Sequence, residues 1–415
     1  MNPSRRTVAL GLTATLLSAC IGGGGAPALR SPATDPALRP VPNAAYDAWV
    51  AAFRQRAAAR GIPATTLDSA FRSAGFLPGV VERDRNQTEF TRSTQDYLAI
   101  AASDQRLAQG HAAVRQYGGV LGQIEARYGV EAHVVAAVWG LESFFGTRRG
   151  DVPVIAALST LAYEGRRAEF FEQQLMAALR ILQNGDVTAD RMTGSWAGAM
   201  GHTQFIPTSY QLFAVDFTGD GRRDIWSDDP TDALASTAAY LAKSGWRRGT
   251  PWGYEVRLPP GFAMGQTGRG KGQAASAWAA QGVTRANGGA LPGGGSGSII
   301  IPAGPSGPAF LLTSNFNVIL RYNNAENYAL GVGHLSDRLN GGPPVQGRFP
   351  PDAQGMTIDD RQELQRRLTA QGFDTEGSDG VIGKKTIAAI SGYEASQGLP
   401  VTGIPTLVLL NRLRG

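Results

Sequence analysis

The stretch His133-Val-Val-Ala-Ala-Val-Trp-Gly-Leu-Glu142-Ser-Phe-Phe-Gly146 places one carboxylate in an otherwise apolar run. The pattern predicts an apolar helix that ends near Gly146, a residue suited to a helix C-cap. Trp139 and Phe144 would surround Glu142 with apolar surface, which raises the pKa of a carboxyl group, as a general acid requires. The helix by itself favours a simpler alternative, an exposed Glu142 on the polar stripe of a core helix.

A second segment mixes small, glycine and polar residues: Ser195-Trp-Ala-Gly-Ala-Met-Gly-His-Thr-Gln204-Phe-Ile-Pro-Thr-Ser-Tyr210. Small residues let the backbone approach a ligand closely, so the segment is typical of a binding loop. The alternative is a structural loop packed by Met200 and Phe205. The segment makes Glu142 a stronger candidate, because the chain now offers a loop that could hold a ligand beside it.

The surrounding residues predict a mainly α protein. From Tyr46 to Leu182, apolar residues recur at helical spacings. Residues 251–312 differ, because short strand-like runs such as Ile299-Ile300-Ile301 stand among glycines and prolines. With 415 residues, 42% hydrophobic and 18% charged, the chain is long enough for two or three folded domains. We expect a helical domain with a small β-containing insertion.

Other enzyme chemistries find little support in the sequence. The four histidines lack the spacing of a zinc site, and neither a Gly-x-Ser-x-Gly elbow nor a phosphate-binding glycine loop occurs. The net charge of +5 comes from scattered basic residues, without the aromatic-interleaved basic stripe of a nucleic-acid binder. We therefore expect a chemistry based on carboxylates and no nucleic-acid partner.

Residues 216–232 form an acidic loop that starts like an EF-hand calcium loop, Asp216-Phe-Thr-Gly-Asp-Gly-Arg-Arg-Asp224. Oxygen ligands at alternate positions suit Ca²⁺, and the glycine at the sixth position allows the sharp turn. The twelfth position is Ser227 rather than the usual glutamate. The loop predicts a structural Ca²⁺ site, which Na⁺ could also occupy; the alternative is a solvated Asp-Gly turn without metal.

The N-terminus is typical of an export signal. Arg5 and Arg6 precede an apolar stretch, too short to span a bilayer, that ends in Leu17-Ser-Ala-Cys20. This ending resembles the lipobox of bacterial lipoproteins; an ordinary secretory signal with a coincidental cysteine is the alternative. We expect a signal peptide at 1–19, a flexible tether at 20–42, and a periplasmic protein anchored by a lipid on Cys20 to the outer membrane of a Gram-negative bacterium.

After a Gly/Pro linker at 341–357, residues 358–415 predict a separate helical unit. The pattern Asp379-Gly-x-x-Gly-x-x-Thr386 stands between its helical runs. The unit resembles the peptidoglycan-binding domain type 1, a three-helix module; an unrelated helical cap is the alternative. Such a module would raise the local substrate concentration by tethering.

The Glu142 and Gln204 segments together resemble the catalytic domain of the membrane-bound lytic murein transglycosylase B family. A third segment, Asn315-Phe-Asn-Val-Ile-Leu-Arg-Tyr-Asn-Asn-Ala-Glu-Asn-Tyr-Ala-Leu-Gly-Val332, is similar to that family's Arg-Tyr-Asn segment. The three segments follow one another in the family's order. The resemblance implies a lysozyme-like helical catalytic domain, which we place at 43–340.

The resemblance also implies roles for single residues. Glu142 would be the catalytic acid/base, which Ser195 could hydrogen-bond, while Gln204 and Asn323 could orient the sugar. The residues implied to line the cleft and the sugar-binding site are Ser195, Gln204, Tyr240, Tyr322, Asn323 and Tyr328. A core role is the alternative for Tyr240. In the acidic loop, the metal ligands would be Asp216, Thr218, Asp220, the Arg222 carbonyl and, by the resemblance, Asp232.

The resemblance finally implies a reaction, the cleavage of the β-1,4 bond between MurNAc and GlcNAc in peptidoglycan, without water, to leave 1,6-anhydromuramoyl ends. The chemistry would need no cofactor. The expected partners are glycan strands and, through Cys20, a membrane, and we expect a monomer. Two alternatives stay open: a non-catalytic peptidoglycan-binding lipoprotein, and a lysozyme-type hydrolase that leaves reducing ends.

Overall fold

A computed structural model describes residues 35–86 and 92–415 of the chain. The predicted signal peptide, Cys20 and most of the predicted tether lie outside the described residues. Within the described ranges, none of the helices is both long enough and apolar enough to cross a membrane. The architecture confirms the predicted fold class: it is mainly α, with a small antiparallel sheet and a C-terminal three-helix module.

The described residues form 16 α-helices, α1 to α16 in chain order. The first eight are α1 (Ala44–Ala59), α2 (Ala64–Phe71), α3 (Pro78–Arg85), α4 (Thr94–Ala101), α5 (Asp104–Tyr128), α6 (Ala132–Ser143), α7 (Val154–Glu164) and α8 (Ala168–Asn184). The next five are α9 (Pro207–Phe213), α10 (Thr231–Lys243), α11 (Ala275–Ala280), α12 (Ser314–Tyr322) and α13 (Glu326–Leu339). The C-terminal module contains α14 (Ile358–Ala370), α15 (Lys384–Ser396) and α16 (Leu407–Arg414).

Helix α6 forms the centre of the larger apolar core. Nine of its 12 residues are buried. Because the helix is apolar around most of its circumference, it is removed from water only when other elements pack around it, and here these are α5, α10 and α13. The helix ends at Ser143, before the predicted cap Gly146. Phe144 and Phe145 both take up positive φ (52° and 55°), which costs roughly 1–2 kcal/mol for each non-glycine residue. Both phenylalanines are buried, so packing on the core offsets this strain.

A second apolar core lies among α1, α2, α7 and α8. The aromatic rings of Tyr240 from α10 and Tyr322 from α12 pack against both cores. The two tyrosines therefore mark the seam between the two halves of the larger domain.

The strands account for the predicted β-containing insertion. A short antiparallel pair, β1 (Val152–Pro153) and β2 (Thr193–Gly194), links the start of α7 to the loop before α9. The insertion itself holds β3 (Gly253–Arg257), β4 (Gln273–Ala274), β5 (Thr284–Arg285), β6 (Ser296–Ile300) and β7 (Ala309–Leu312). These five strands form one sheet in the order β4-β6-β7-β3-β5, with the neighbouring pairs antiparallel and Glu255 opposite Phe310. The sheet has its own small core around Trp278, so it folds beside the helical domain rather than through it.

The C-terminal module is packed against the rest of the molecule. On α14, the buried Arg361 guanidinium lies 2.9 Å from an Asp96 carboxylate oxygen on α4. In the linker, the backbone N–H of Gln346 donates to the Glu255 carboxylate on β3 at 2.8 Å. An ion pair made by a buried arginine and a hydrogen-bonded linker thus hold the module on the larger domain.

The third matched segment is divided between two helices, α12 and α13. The break falls at Asn323, whose backbone is extended (φ −145°, ψ 122°) and whose side-chain Oδ1 accepts from the Ala325 N–H at 3.1 Å. An asparagine that hydrogen-bonds the backbone two residues ahead is a common turn former. The break separates Tyr322 from Tyr328 and lets the two tyrosines enter the site from different helices.

Candidate active site

Glu142 lies in the last turn of α6 and is only 8% exposed. Its Oε1 accepts a hydrogen bond of 2.6 Å from the Tyr328 hydroxyl, in the first turn of α13. Burial raises the pKa of Glu142 to about 7, and the Tyr328 hydrogen bond works against that rise. The alternative of an exposed glutamate is therefore wrong. A carboxyl group with this pKa can both give and take a proton near neutral pH.

Three tyrosines from three helices lie within electrostatic range of the Glu142 carboxylate: Tyr97 on α4, Tyr322 on α12 and Tyr328 on α13. Burial raises the pKa of each phenol, and the Glu142 charge raises it further. All three therefore stay neutral hydroxyl groups at physiological pH. The Tyr322 hydroxyl donates to the Thr203 carbonyl at 2.7 Å, which ties α12 to the loop that carries Gln204.

Sequence reasoning missed Tyr97. No motif marks it, because it stands in a short helix upstream of all three matched segments. A usable signal existed in Gly331, where a Cβ atom would come within 2.6 Å of the Tyr97 ring. A glycine in the middle of an otherwise bulky helix indicates that another side chain crosses it closely.

Ser195 closes a tight loop. Its backbone N–H donates to the Ala199 carbonyl at 2.7 Å, and its hydroxyl accepts from the Ala199 N–H at 3.1 Å. The predicted bond to Glu142 is not among the hydrogen bonds of the described residues. In this structure the hydroxyl shapes the loop, and its contact with a sugar stays a prediction.

Gln204 has a strained backbone, and both hydrogens of its side-chain amide are donated within the protein. Its φ is +54°, a left-handed value that is uncommon for residues other than glycine, asparagine and aspartate. Its Nε2 donates to the carbonyls of Arg149 and Gly201, at 2.8 and 2.9 Å. With both amide hydrogens donated, the atom that Gln204 can offer to a ligand is the acceptor Oε1. Its predicted role in orienting a sugar would thus be to accept a hydroxyl or amide proton.

His202 joins the two motif segments and was also missed. Its backbone carbonyl accepts from the hydroxyl of Ser143, the residue after Glu142. Its Nε2 lies 2.7 Å from the Ser227 carbonyl and so carries the proton, while Nδ1 accepts from the Trp139 indole N–H at 3.1 Å. Burial lowers the pKa of His202 to about 4, so the ring is neutral and this pattern of donors is fixed.

Gly146 adjoins the same ring. A Cβ atom at that position would lie 2.5 Å from His202 Nδ1, and the residue has φ +83°. Only glycine meets both conditions. Gly146 thus allows the loop after α6 to pack closely against His202. This contact positions the end of the helix that carries Glu142.

Tyr240 and Asn323 support the site more than they enter it in this structure. Tyr240 packs its ring 4.3 Å from that of Phe213 and 4.8 Å from that of Tyr322, and its hydroxyl donates to the Arg321 carbonyl. Asn323 caps the end of α12, as described above. Both residues are half-buried, so part of each side chain is open to a ligand. Their predicted contact with sugar is not tested by this arrangement.

The acidic loop brings together three of its predicted ligands. Carboxylate oxygens of Asp216, Asp220 and Asp232 lie within 4.8 Å of one another. Oxygen ligands about 2.3–2.6 Å from a Ca²⁺ ion have this separation across the ion. The Thr218 hydroxyl is also near, since it donates to Asp216 Oδ1 at 3.3 Å, and the Arg222 N–H donates to Asp220 Oδ1 at 2.9 Å. The donor set fits calcium, and ligation of the ion stays a prediction.

Asp232 explains how a loop without the usual twelfth glutamate keeps its shape. It is buried in the first turn of α10, and its two carboxylate oxygens accept three backbone N–H groups, from Phe217, Thr218 and Asp224, at 2.9–3.0 Å. Burial raises the pKa of Asp232, while the three hydrogen bonds lower it. The loop backbone is thus folded around one carboxylate.

Comparisons with known proteins give consistent results. Residues 45–337 match the family described as "Transglycosylase SLT domain", and residues 357–413 match the "Putative peptidoglycan binding domain". The chain is 33% identical to membrane-bound lytic murein transglycosylase B of Escherichia coli over 231 residues, 54% of this chain and 61% of that protein, so the match spans less than two thirds of the relative.

Two solved structures are similar over most of the chain. One is SltB3 from Pseudomonas aeruginosa in complex with NAG-anhNAM-pentapeptide, with 49% identity, a TM-score of 0.73, and coverage of 90% of this chain and 100% of that one. Another is the Escherichia coli lytic transglycosylase Slt35 in complex with calcium, with 26% identity, a TM-score of 0.60, and coverage of 75% and 98%.

Proposed function

Because the chain belongs to the family of transglycosylase SLT domain proteins, and so confirms the resemblance drawn from its three segments, we propose that it acts as a lytic transglycosylase on peptidoglycan. It would cleave the β-1,4 bond between MurNAc and GlcNAc and form 1,6-anhydromuramoyl ends during cell-wall remodelling and turnover. The single observation that carries the proposal is Glu142, a buried carboxyl group whose pKa of about 7 suits proton transfer in both directions.

The first step uses Glu142 as an acid. Its proton passes to the glycosidic oxygen as the bond from that oxygen to C1 of MurNAc breaks, and GlcNAc leaves with a free hydroxyl. The carbonyl oxygen of the MurNAc N-acetyl group bonds to C1 and takes up the developing positive charge. Glu142 is left ionised, and the Tyr328 hydroxyl at 2.6 Å stabilises that charge.

The second step uses the ionised Glu142 as a base. It takes the proton of the MurNAc C6 hydroxyl while O6 bonds to C1 and displaces the N-acetyl oxygen. Glu142 returns to its starting state, and no water enters the balance. Because one residue performs both transfers, a pKa near the working pH serves both better than an ordinary, low one.

A single carboxylate suffices for this route. Many glycosidases place a second carboxylate beside the first, as nucleophile or base. Among the described residues, burial and the Tyr328 hydroxyl are what set the pKa of Glu142, and the neighbouring titratable groups are phenols. This setting favours assistance by the substrate over the lysozyme-type alternative.

The products of digestion provide the test. Purified peptidoglycan is digested with the wild-type protein and with Glu142→Gln, and the released muropeptides are identified by mass spectrometry. We expect anhydromuramoyl products from the wild type and almost none from the variant. Products that are one water heavier would point to a hydrolase, and intact strands with retained binding would point to an adhesive protein.

The finer features belong to the same proposal. We infer a structural Ca²⁺, or Na⁺ in its place, on Asp216, Thr218, Asp220, the Arg222 carbonyl and Asp232, with no part in the chemistry. We also infer a monomer that works in the periplasm, held at the outer membrane by a lipid on Cys20. Incorporation of labelled fatty acid that persists in Cys20→Ser would contradict the anchor.

A further inference from the structure

A polar groove lies on the side of the domain that carries α1, α8 and α9. It encloses about 430 Å³ and is lined by Arg60, Gly61, Arg180, Gln183, Asn184, Gln211 and Arg223. Three guanidinium groups thus meet in one depression, together with three side-chain amides. The lining contains no carboxylate.

Two of the three arginines lack a protein counterion. Arg223 is paired with the buried Asp186, at 2.6 Å. Arg60 and Arg180 are exposed, and within residues 35–86 and 92–415 neither guanidinium has an ion pair or a side-chain hydrogen bond. Nearby arginines of α1 differ, because Arg54 pairs with Asp68 and Arg56 pairs with Glu172.

The helix dipole stabilises only one of the two arginines that lack a counterion. Arg60 is the C-cap residue of α1, where the helix dipole favours a cation. Arg180 lies outside the last turn of α8, beyond the short reach of that effect. Like charges brought together without a counterion repel one another, so the groove is best satisfied by a bound anion. Guanidinium groups bind carboxylates in two-pronged hydrogen bonds, which amide side chains can extend.

Helix α9 connects the groove to the loop that carries Gln204. Gln211 belongs to α9, which begins three residues after Gln204 and is seven residues long, so it extends for roughly 10 Å. The Gln211 amide donates to the Ala177 carbonyl on α8, and Gln174 of α8 accepts from the Thr208 N–H at the start of α9. A five-residue peptide can span up to about 17 Å when extended.

We propose that this groove binds the carboxylates of a stem peptide on the glycan strand that lies in the active site. The proposal rests on the proposed function, because it takes peptidoglycan as the substrate. Arg60 and Arg180 hold the carboxylates, and the amides of Gln183 and Asn184 accept or donate to the peptide backbone. The site gives the enzyme a preference for strands that still carry peptides.

The test compares two substrates and two variants. Turnover is measured on peptide-bearing strands and on strands stripped of peptide by an amidase, with Arg60→Gln/Arg180→Gln and with Arg54→Gln as the matched control on α1. We expect the double variant to raise KM for peptide-bearing strands about ten-fold, leave kcat unchanged, and behave as wild type on stripped strands. The wild-type preference should also shrink as salt rises, because screening weakens exposed ion pairs.

Several outcomes would overturn the proposal. One is an unchanged KM in the double variant, and another is an equal rise on both substrates or in Arg54→Gln. A third is binding of inorganic phosphate that the double variant abolishes while KM for peptide-bearing strands stays the same, which would identify a phosphate site instead. If the wild type makes no anhydro product from either substrate, the proposed function fails; co-sedimentation of Glu142→Gln with both kinds of strand would then still test the groove alone.

Discussion

Two carboxylate sites lie in the same domain and are built in opposite ways. Glu142 is a single acid, buried at the end of an apolar helix, with one hydrogen bond from Tyr328. In the acidic loop, Asp216 and Asp220 are more open to solvent and stand beside Asp232 within 4.8 Å, and backbone N–H groups donate to all three. Burial with few donors favours the protonated form, whereas many donors and close oxygens favour charge and a cation.

The difference teaches that residue type alone does not assign a carboxylate its role. At Glu142, the environment raises the pKa toward the range of a proton donor. In the loop, the oxygens converge and the backbone is wrapped around them, which suits a structural ion. Substitutions that exchange or remove one of these environmental features at a time therefore test the difference between the two sites.

The largest effect is expected for Glu142→Gln. The amide keeps the size and polarity of the side chain but cannot transfer a proton, so the rate should fall by roughly 10²–10⁴-fold or more. The free energy of unfolding of the variant should instead be higher than that of the wild type at alkaline pH. Since the folded-state pKa lies above the unfolded value, the wild type loses stability as pH rises through about 7. At pH 8 the variant should be more stable by up to about 3 kcal/mol, and below pH 4 the difference should vanish.

Denaturant unfolding at the two pH values and turnover of peptidoglycan check this pair of effects. A variant that is inactive but equally stable at pH 8 would mean that Glu142 is hydrated and not buried as described. Near-full activity would remove Glu142 from the chemistry altogether.

A smaller effect is expected for Tyr328→Phe. The Tyr328 hydrogen bond lowers the pKa of Glu142, so its loss raises that pKa further. The alkaline limb of the pH–rate profile, where Glu142 loses the proton it must donate, should move to higher pH. The rate on the plateau should fall by about ten-fold, because the ionised intermediate loses a hydrogen bond worth roughly 1.5 kcal/mol or more. Tyr254→Phe is the matched control, since this tyrosine lies on β3 of the sheet, with Arg285 over its ring, and is not among the predicted sugar-binding residues. A limb that moves to lower pH would contradict the assignment.

In the acidic loop, Asp232→Asn should lower the stability of the fold and leave the alkaline limb of the pH–rate profile unchanged. Asparagine cannot accept all three backbone N–H groups, and one would face its own amide hydrogens; we expect a loss of roughly 1–3 kcal/mol. Thermal unfolding with and without Ca²⁺ measures it, with the exposed Asp229→Asn as control. A shifted pH–rate limb in Asp232→Asn would show that the two sites are coupled.

The smallest effect on the rate is expected from Ca²⁺ itself, which should act on stability alone. Binding to the folded state alone adds about 2.7 kcal/mol at a concentration of 100 times Kd, and the melting temperature should rise by a few degrees. The rate at a temperature well below melting should not change. A melting temperature that Ca²⁺ leaves unmoved in the wild type, or moves equally in Asp216→Asn/Asp220→Asn, would argue against the site.

The helical fold and Glu142 could be predicted because their signals are local. The run around Glu142 is apolar on every side, and a continuous pattern of this kind leaves a helix few places except a core. The acidic loop was equally local, since nine consecutive residues carry its pattern. The C-terminal module was found by a spacing of glycines and a threonine within eight residues.

What could not be predicted depends on contacts between distant segments. Tyr97 approaches Glu142 from α4 with no motif of its own, and His202 joins Ser143 to Ser227 through its carbonyl and its ring. The positive φ angles of Phe144 and Phe145 could not be predicted either. Bulky residues disfavour a left-handed backbone, and they keep it only where packing in the core compensates for the strain. These are the positions where tertiary packing overrides the sequence pattern.

The Arg361–Asp96 contact affects how truncated forms of this protein behave. Cutting the chain in the linker removes the guanidinium and leaves Asp96 on α4 without the partner that faces it in the full chain. Helix α4 is also the helix that brings Tyr97 toward Glu142. A shortened enzyme would thus bind the cell wall more weakly and also have a disturbed surface at α4. Its loss of activity would therefore exceed the contribution of wall binding by the module. Arg361→Gln in the intact chain separates the two contributions, because it breaks the contact and keeps the module.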